Sequence, residues 1–367
     1  MVEKYKVYCP ECKTFCHING ILAKKVGKRE IPCPKCGHPF IAVISAPAGG
    51  PTMDAEQLPD YAKENTPFII TTAVCPVCET RSHQRFIKSH ECHPQKHDLD
   101  LRPDAYAWSN PAFAKYHPPL YFMWHCPGCH FTAPRANFEA PAHNTQMKPA
   151  ALLGRISALI LDPPGVAAVT ELLSAGIDFD GLDFFHALKL HLLAIFWLER
   201  IDDIRERDAL DLARYYTRLA WLFRDLDGFP QEKDMTLLAL DALAAETAQL
   251  WPDMPRDERT ALGRAAGAYE ITYERSGVLE KNELEHKTVQ ATARIYLKLG
   301  DIAKARELLH LCLKLGYELN RRLDERIKAF VPSKLFPEAN AKLLELQKQK
   351  KQLDQFFNDT RRLMETR

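Results

Sequence analysis

Ten of the chain's eleven cysteines fall before residue 150, and eight of them form four pairs spelled C-P-x-C. Pairs at this spacing constrain folding more tightly than any hydrophobic pattern, because two sulfurs three residues apart can grip one ion from a single turn. Two such turns complete a tetrahedron with Zn–S near ~2.3 Å. Proline at the second position presets one backbone angle of the turn. In a reducing compartment, close pairs are expected to be metal ligands rather than disulfides. The same front segment holds ten of the fourteen histidines and eighteen of the twenty-five prolines, and only Cys312 follows it. Two physical regimes therefore meet near residue 150: a Cys/His/Pro-rich front and a helical back.

The first module is Cys9, Cys12, Cys33 and Cys36, with twenty residues between the pairs. This spacing predicts one zinc ion held by four thiolates. "REIP" leads into the second knuckle and "FIAVI" leaves it, and both read as short strands. A unit this small buries too little apolar area to fold alone, so the metal must supply its stability. Cys16 and His17 are read as strand residues, with spare ligands as the alternative. The stretch resembles a small bacterial zinc-ribbon domain found at the amino terminus of otherwise unrelated proteins. The matching positions are Cys9, Cys12, Phe15, Cys33, Cys36, Gly37 and Phe40.

The second module pairs Cys75 and Cys78 with Cys126 and Cys129 across 47 residues. Apolar strands run into both knuckles, in "FIITTAVCPVC" and "PLYFMWHCPGC". Cys126-Pro127-Gly128-Cys129-His130 also spells the C-x-x-C-H pattern of covalent haem attachment. Haem would leave Cys75 and Cys78 unexplained and needs an oxidising compartment, so a second four-thiolate zinc site is the reading adopted. His130 then sits where histidine tolerates a left-handed backbone. Between the knuckles lie His83, His90, Cys92, His93 and His97, without a known ligand spacing, so a further metal there stays open. Asp98, Asp100 and Arg102 read as an ion pair pinning this insert, or as a functional cluster.

From Pro149 onward the apolar period becomes helical. "ATARIYLKLGDIAKARELLHLCLKLG" places Ala293, Tyr296, Leu299, Gly300, Ala305 and Leu309 close to a tetratricopeptide pattern. Earlier copies stand at Ala220, Phe223 and Leu226, and more faintly at Ala187 and Leu190, in steps near one and two repeats. Stacked helix pairs offer a curved face for a protein partner; a plain bundle is the alternative. Arg214 and Arg218 line such a groove or form a solvated basic face. In the tail, Leu343, Leu346, Leu353, Phe357 and Met364 follow broken heptads that pack back or self-associate.

The run of C-P-x-C, a basic strand, "HDLDL", "NP" before an aromatic, and a second C-P-x-C resembles the bacterial family called domain of unknown function 2225. "LDLARYYTRLAWLFRDLDG" is similar to that family's helical segment, and the resemblance covers roughly residues 68–315. His130, where the family usually has glycine, the histidine-rich insert and the added front ribbon depart from it. The resemblance implies architecture and ligand identity, not a reaction.

The predicted organisation is multidomain: a zinc ribbon at 1–44, a linker at 45–67, a second β-rich zinc-ribbon-like module at 68–148, an all-α tetratricopeptide-like domain at 149–317 and a charged helical tail at 318–367. Lysine and arginine exceed acids by one, 49 against 48, which gives little pull toward nucleic acid or anionic lipid. Residues 1–45 alone carry eight basic groups and three acidic ones. The amino terminus has no apolar signal segment, and the longest apolar run, Leu188 to Leu198, is broken by Lys189 and His191. A cytoplasmic, non-membrane protein is expected. No phosphate-cradling glycine loop, H-E-x-x-H or dinucleotide fingerprint occurs, and a four-thiolate zinc is coordinatively closed. The expected function is a non-enzymatic zinc-binding adaptor or scaffold that holds two structural zinc ions and binds a protein partner through its helices. A nucleic-acid- or ribosome-associated ribbon factor, and a metal- or thiol-based redox protein built on the insert, are the alternatives.

Overall fold

The computed structural model describes residues 66–138, 165–177, 181–200, 206–274, 283–329 and 337–365, with Ile156, Phe179, Cys36 and, at the front, the backbone of four strands. Those strands form two antiparallel hairpins, β1 (Lys4–Cys9) with β2 (Thr14–Asn19) and β3 (Gly27–Pro32) with β4 (Pro39–Ile44). Cys12 and Cys33, and the side chain of Cys9, lie outside the described residues, so the expected front zinc site does too. Cys16 and His17 stand in β2, opposite Val7 and Lys6.

The described chain separates into two compact units. The first comprises residues 1–93, 108–202 and 229–254, and the second residues 94–107, 203–228 and 255–367. In the first, β5 (Phe68–Val74) pairs antiparallel with β6 (Arg81–Ile87). β-Branched Ile69, Ile70, Thr71, Thr72 and Val74 favour this strand over a helix. The hairpin β7 (Cys92–His97) and β8 (Pro103–Trp108) follows, then two 3-10 turns, Pro111–Lys115 and Pro118–Tyr121, each started by proline. Asn110 accepts the Ala112 amide at 3.0 Å to cap the first turn. β9 (Met123–His125) pairs with β10 (Thr132–Pro134), and the short helix α1 (Arg135–Phe138) comes next.

α2 (Gly165–Ser174) and α3 (Phe184–Glu199) pack together, and α3 also lies against β9 and β10. Asp183 caps α3 by accepting the His186 amide at 2.8 Å. Every residue from Ala187 to Leu198 is buried, Lys189 and His191 included. A helix apolar all round belongs inside, and its two polar residues are satisfied there. The Lys189 ammonium donates to the Ala175 carbonyl, and His191 Nδ1 lies 2.8 Å from the Ala187 carbonyl.

In the second unit, α4 (Glu206–Leu226) packs on α6 (Glu258–Glu274), α6 on α7 (Glu283–Leu299), α7 on α8 (Ile302–Lys328), and α8 on α9 (Pro337–Glu365). α5 (Pro230–Thr247) belongs to the first unit. Gly300, at φ +85°, makes the reversal between α7 and α8. That left-handed backbone suits glycine, and Asp301 then caps α8 through the Lys304 amide at 3.0 Å. Ala293 and Ala305, each fully buried, sit in the core formed with Val289, Leu308, Leu309 and Cys312. Ala220, Phe223 and Leu226 are buried on α4. Ala187 and Leu190 lie on α3, so the faintest repeat copy stands in the first unit, apart from the stack.

The tail folds back. Leu346, Leu353 and Phe357 of α9 close a core with Leu323 of α8, while Leu343 and Met364 are half-buried. Phe357 stacks on Tyr317, with ring centroids 4.9 Å apart, directly over Gly316. A Cβ at Gly316 would come within 2.8 Å of the Phe357 ring. Replacing Gly316 with leucine is therefore expected to destabilise the chain by about 1–3 kcal/mol, the cost of an overfilled core. Phe357→Ala in the same chain should recover part of that loss in denaturant melts.

Candidate metal centre

Two hairpin turns build the centre. In the first knuckle, the Cys75 amide donates to the Thr80 carbonyl at 2.9 Å and the Glu79 amide to the Cys75 carbonyl at 3.0 Å. In the second, the Cys126 amide donates to the Phe131 carbonyl at 2.8 Å and the His130 amide to the Cys126 carbonyl at 2.8 Å. The two turns thus repeat one hydrogen-bond pattern. Glu79 and His130 occupy matching positions, with left-handed φ of 65° and 59°. Cys75, Cys126 and Cys129 are buried, and Cys78 is exposed.

The four sulfurs, of Cys75, Cys78, Cys126 and Cys129, lie within 4.8 Å of one another. Cys75 stands 3.6 Å from Cys129, and Cys78 stands 3.4 Å from Cys126. Ligands on a tetrahedron of radius ~2.3 Å are about 3.8 Å apart, so this cluster fits one tetrahedral ion. As free thiols they compete for protons. Hydrogen bonding with Cys126 drives Cys75 and Cys129 up and Cys78 down, while Cys129 draws Cys126 down. An ion bound by thiolates replaces those shared protons. The Val77 amide also donates to Cys75 Sγ at 3.4 Å.

Closure of the two knuckles depends on residues that the spacing of cysteines does not reveal. The Gln84 side chain, 1 % exposed, donates to the His125 carbonyl at 2.7 Å and accepts the His125 amide at 3.2 Å. It thereby bonds β6 to β9 as a backbone strand would. Trp124 Nε1 donates to the Arg85 carbonyl at 3.2 Å, across the same seam. Trp197 of α3 donates to the His130 carbonyl at 3.0 Å and so supports the second knuckle. The buried His125 ring stacks on His130 at 5.6 Å. Its Nδ1 lies 2.9 Å from the Thr132 hydroxyl. That hydroxyl donates to the His130 carbonyl at 3.1 Å, so Nδ1 carries the hydrogen and donates. Burial pushes the His125 pKa down to about 3, which keeps the imidazole neutral. Gly128 faces the other knuckle: a Cβ there would sit 2.5 Å from Thr80 Oγ1.

The insert histidines do not converge. Among the described residues, the four cysteines are the one group of three or more candidate ligands close enough to hold an ion. His83 lies on β6 beside Thr72, His90 beside Glu91, and Cys92, His93 and His97 along β7.

Asp98 and Asp100 belong to the second unit, with the hairpin tip that carries them. Leu101, at φ 69°, shapes their loop, and the Leu99 amide donates to Asp98 Oδ1 at 2.6 Å. Arg224 of α4 serves three carboxylates: Asp98 at 2.7 Å, Asp100 at 2.7 Å and Glu258 at 2.5 Å. Lys298 of α7 reaches Asp98 at 2.8 Å, and Trp221 Nε1 donates to Asp100 at 3.2 Å. Arg102 pairs with Asp225, and Arg294 donates to the Leu99 carbonyl at 3.1 Å. These residues pin the hairpin tip to α4, α6 and α7, as the ion-pair reading anticipates. Arg214 is half-exposed beside Asp211. Arg218 differs from the solvated-face expectation: it is half-buried, and desolvation lowers its pKa to about 9 against the opposing pull of Tyr215, Tyr269 and Tyr106.

Gly128→Ala is expected to destabilise the chain by about 1–3 kcal/mol and to weaken metal retention, with partial recovery in Gly128→Ala/Thr80→Ala. Elemental analysis alongside melting measures both. Arg224→Met leaves Asp100 and Asp98 without their shared cation and should cost about 2–4 kcal/mol, allowing for partial exposure. Burial alone would raise the Asp98 pKa, but hydrogen bonds from Lys298 and the Leu99 amide, with the Arg224 charge, hold it below the usual value. A depressed carboxylate stabilises the fold above its unfolded pKa of about 3.9 and loses that contribution as pH falls through the folded value. The pH-dependence of melting below about 4 should flatten in Asp98→Asn.

No curated protein and no solved structure matches the chain. A family model described as "Uncharacterized protein conserved in bacteria (DUF2225)" matches residues 69–356, which span both knuckles, the pinned hairpin and the helices through most of α9. The chain belongs to this bacterial family.

Proposed function

We propose that the chain is a non-enzymatic zinc-binding scaffold. In this reading Cys75, Cys78, Cys126 and Cys129 hold one structural zinc ion and Cys9, Cys12, Cys33 and Cys36 hold another. The stacked helices α4 and α6 to α8 take a protein partner. The observation that carries the proposal is the sulfur geometry: four converging thiols fit one closed tetrahedral ion. Zinc in an all-thiolate site has no vacant position for an activated water, so its contribution is to fold stability. Arg224, Lys298 and Gln84 are explained as clamps, each fully engaged in holding elements together. The successive packing of α4, α6, α7 and α8 supports a repeat-like stack of the kind that presents a partner-binding face.

Purified without chelator, the full chain should carry two zinc ions by elemental analysis. Cys126→Ser/Cys129→Ser and Cys33→Ser/Cys36→Ser should each remove one. A stoichiometry unaffected by either pair, or iron in place of zinc, overturns the metal assignment. Affinity capture with the full chain tests the adaptor role, and the expected result is a protein partner retained after nuclease treatment. The excess of basic residues in 1–45 favours a second reading, a nucleic-acid-associated ribbon. Salt-sensitive RNA or DNA binding that disappears when residues 1–44 are deleted would decide for it.

A further inference from the structure

Helix α5 buries Thr236, Leu240, Leu243 and Thr247. Its opposite side carries Met235, Leu238, Ala242 and Ala245, at steps of three, four and three residues. Such steps draw one stripe along a 3.6-residue helix. Met235 is 75 % exposed and Leu238 is 73 % exposed, and both alanines are exposed. A single exposed leucine means little on a protein surface. Two long apolar side chains above two alanines on one stripe form a face instead, because the small residues let a second backbone come close.

Charge selects what fits there. Glu232, Asp234, Asp241 and Glu246 are all exposed and rim the stripe on both sides, and Lys233 is the helix's one basic residue. The chain as a whole has a net charge of +1, so this acidic bias is local. A second copy of the chain, related by a two-fold axis, would meet the stripe with the same patch. That arrangement sets one acidic rim against the other, and like charges facing each other destabilise a helix pair. A helix bearing an apolar stripe with lysine or arginine on its flanks meets both the shape and the charge.

We propose that the outer face of α5 docks a basic amphipathic helix of a partner protein, with Met235 and Leu238 as its apolar anchors. This surface lies outside the α4 and α6–α9 stack, so the proposal does not depend on the stack's role.

The test uses the full chain and a labelled synthetic helical peptide of about 18 residues, with leucine on one stripe and lysine on both flanks. A matched peptide carries glutamate flanks. Binding of the lysine peptide with Kd in the range of about 1–100 μM, weakened by salt, is the expected result. Met235→Gln/Leu238→Gln should lose at least about tenfold. Both changed residues are exposed, and circular dichroism checks that the fold is kept. Asp234→Lys/Glu246→Lys should reverse the preference toward the glutamate peptide. Equal binding by wild type and the glutamine variant, or no binding by wild type, overturns the proposal. So does concentration-dependent dimerisation of the free chain that the glutamine variant abolishes, which would make a second copy the occupant.

Discussion

Four sulfurs within 4.8 Å of one another are the constraint on which the first unit's β structure rests. β5, β6, β9 and β10 are too short to bury much apolar surface alone. Each knuckle is shaped by its own backbone hydrogen bonds and one left-handed residue. An ion joining the two would supply stability that such small sheets do not provide by themselves. The protein part of the seam is already precise in its hydrogen bonding. Gln84 answers both backbone groups of His125, and Trp124 and Trp197 satisfy carbonyls on either side.

The second unit solves a different problem with charge. The loop at residues 98–102 brings two aspartates to Arg224, which the helices themselves pair with Glu258. Asp100's side chain is fully buried and Arg224's is 12 % exposed. Charges that deep are tolerated only when paired and hydrogen-bonded. The pairing is shared: Asp98 takes Arg224 and Lys298, and Arg224 also takes Glu258. Removing either side leaves a buried charge, so the network fixes where the hairpin tip sits more than it adds net stability. Leu99 adds the apolar part by packing against the Val289–Leu363 core.

These two devices bear on function in one way. Under the proposed scaffold reading, the thiols, the buried imidazole of His125 and the guanidinium of Arg224 are structural, and recognition would fall to the surface. The stripe of α5, by contrast, leaves the apolar side chains of Met235 and Leu238 exposed.

The grouping of Cys75, Cys78, Cys126 and Cys129 was legible from the chain itself, because C-P-x-C is a local device: the turn that aims two sulfurs is set by four or five adjacent residues. His130's left-handed backbone was legible for the same reason. So was the helical character beyond residue 165, since a 3.6-residue period is written locally. Which elements meet was not. Gln84, Trp197 and Arg224 are ordinary residues of a strand and two helices, and their roles arise from partners 41, 67 and 124 residues away. Arg218 looked like one member of a basic face, yet it is half-buried in the fold. Lys189 and His191 looked like interruptions of an apolar run, and burial with backbone acceptors made them part of the core. Local sequence determined the turns, the helices and the cysteine pairs. Only the tertiary structure decided which faces are covered, because burial and charge pairing depend on residues that the chain brings together from far apart.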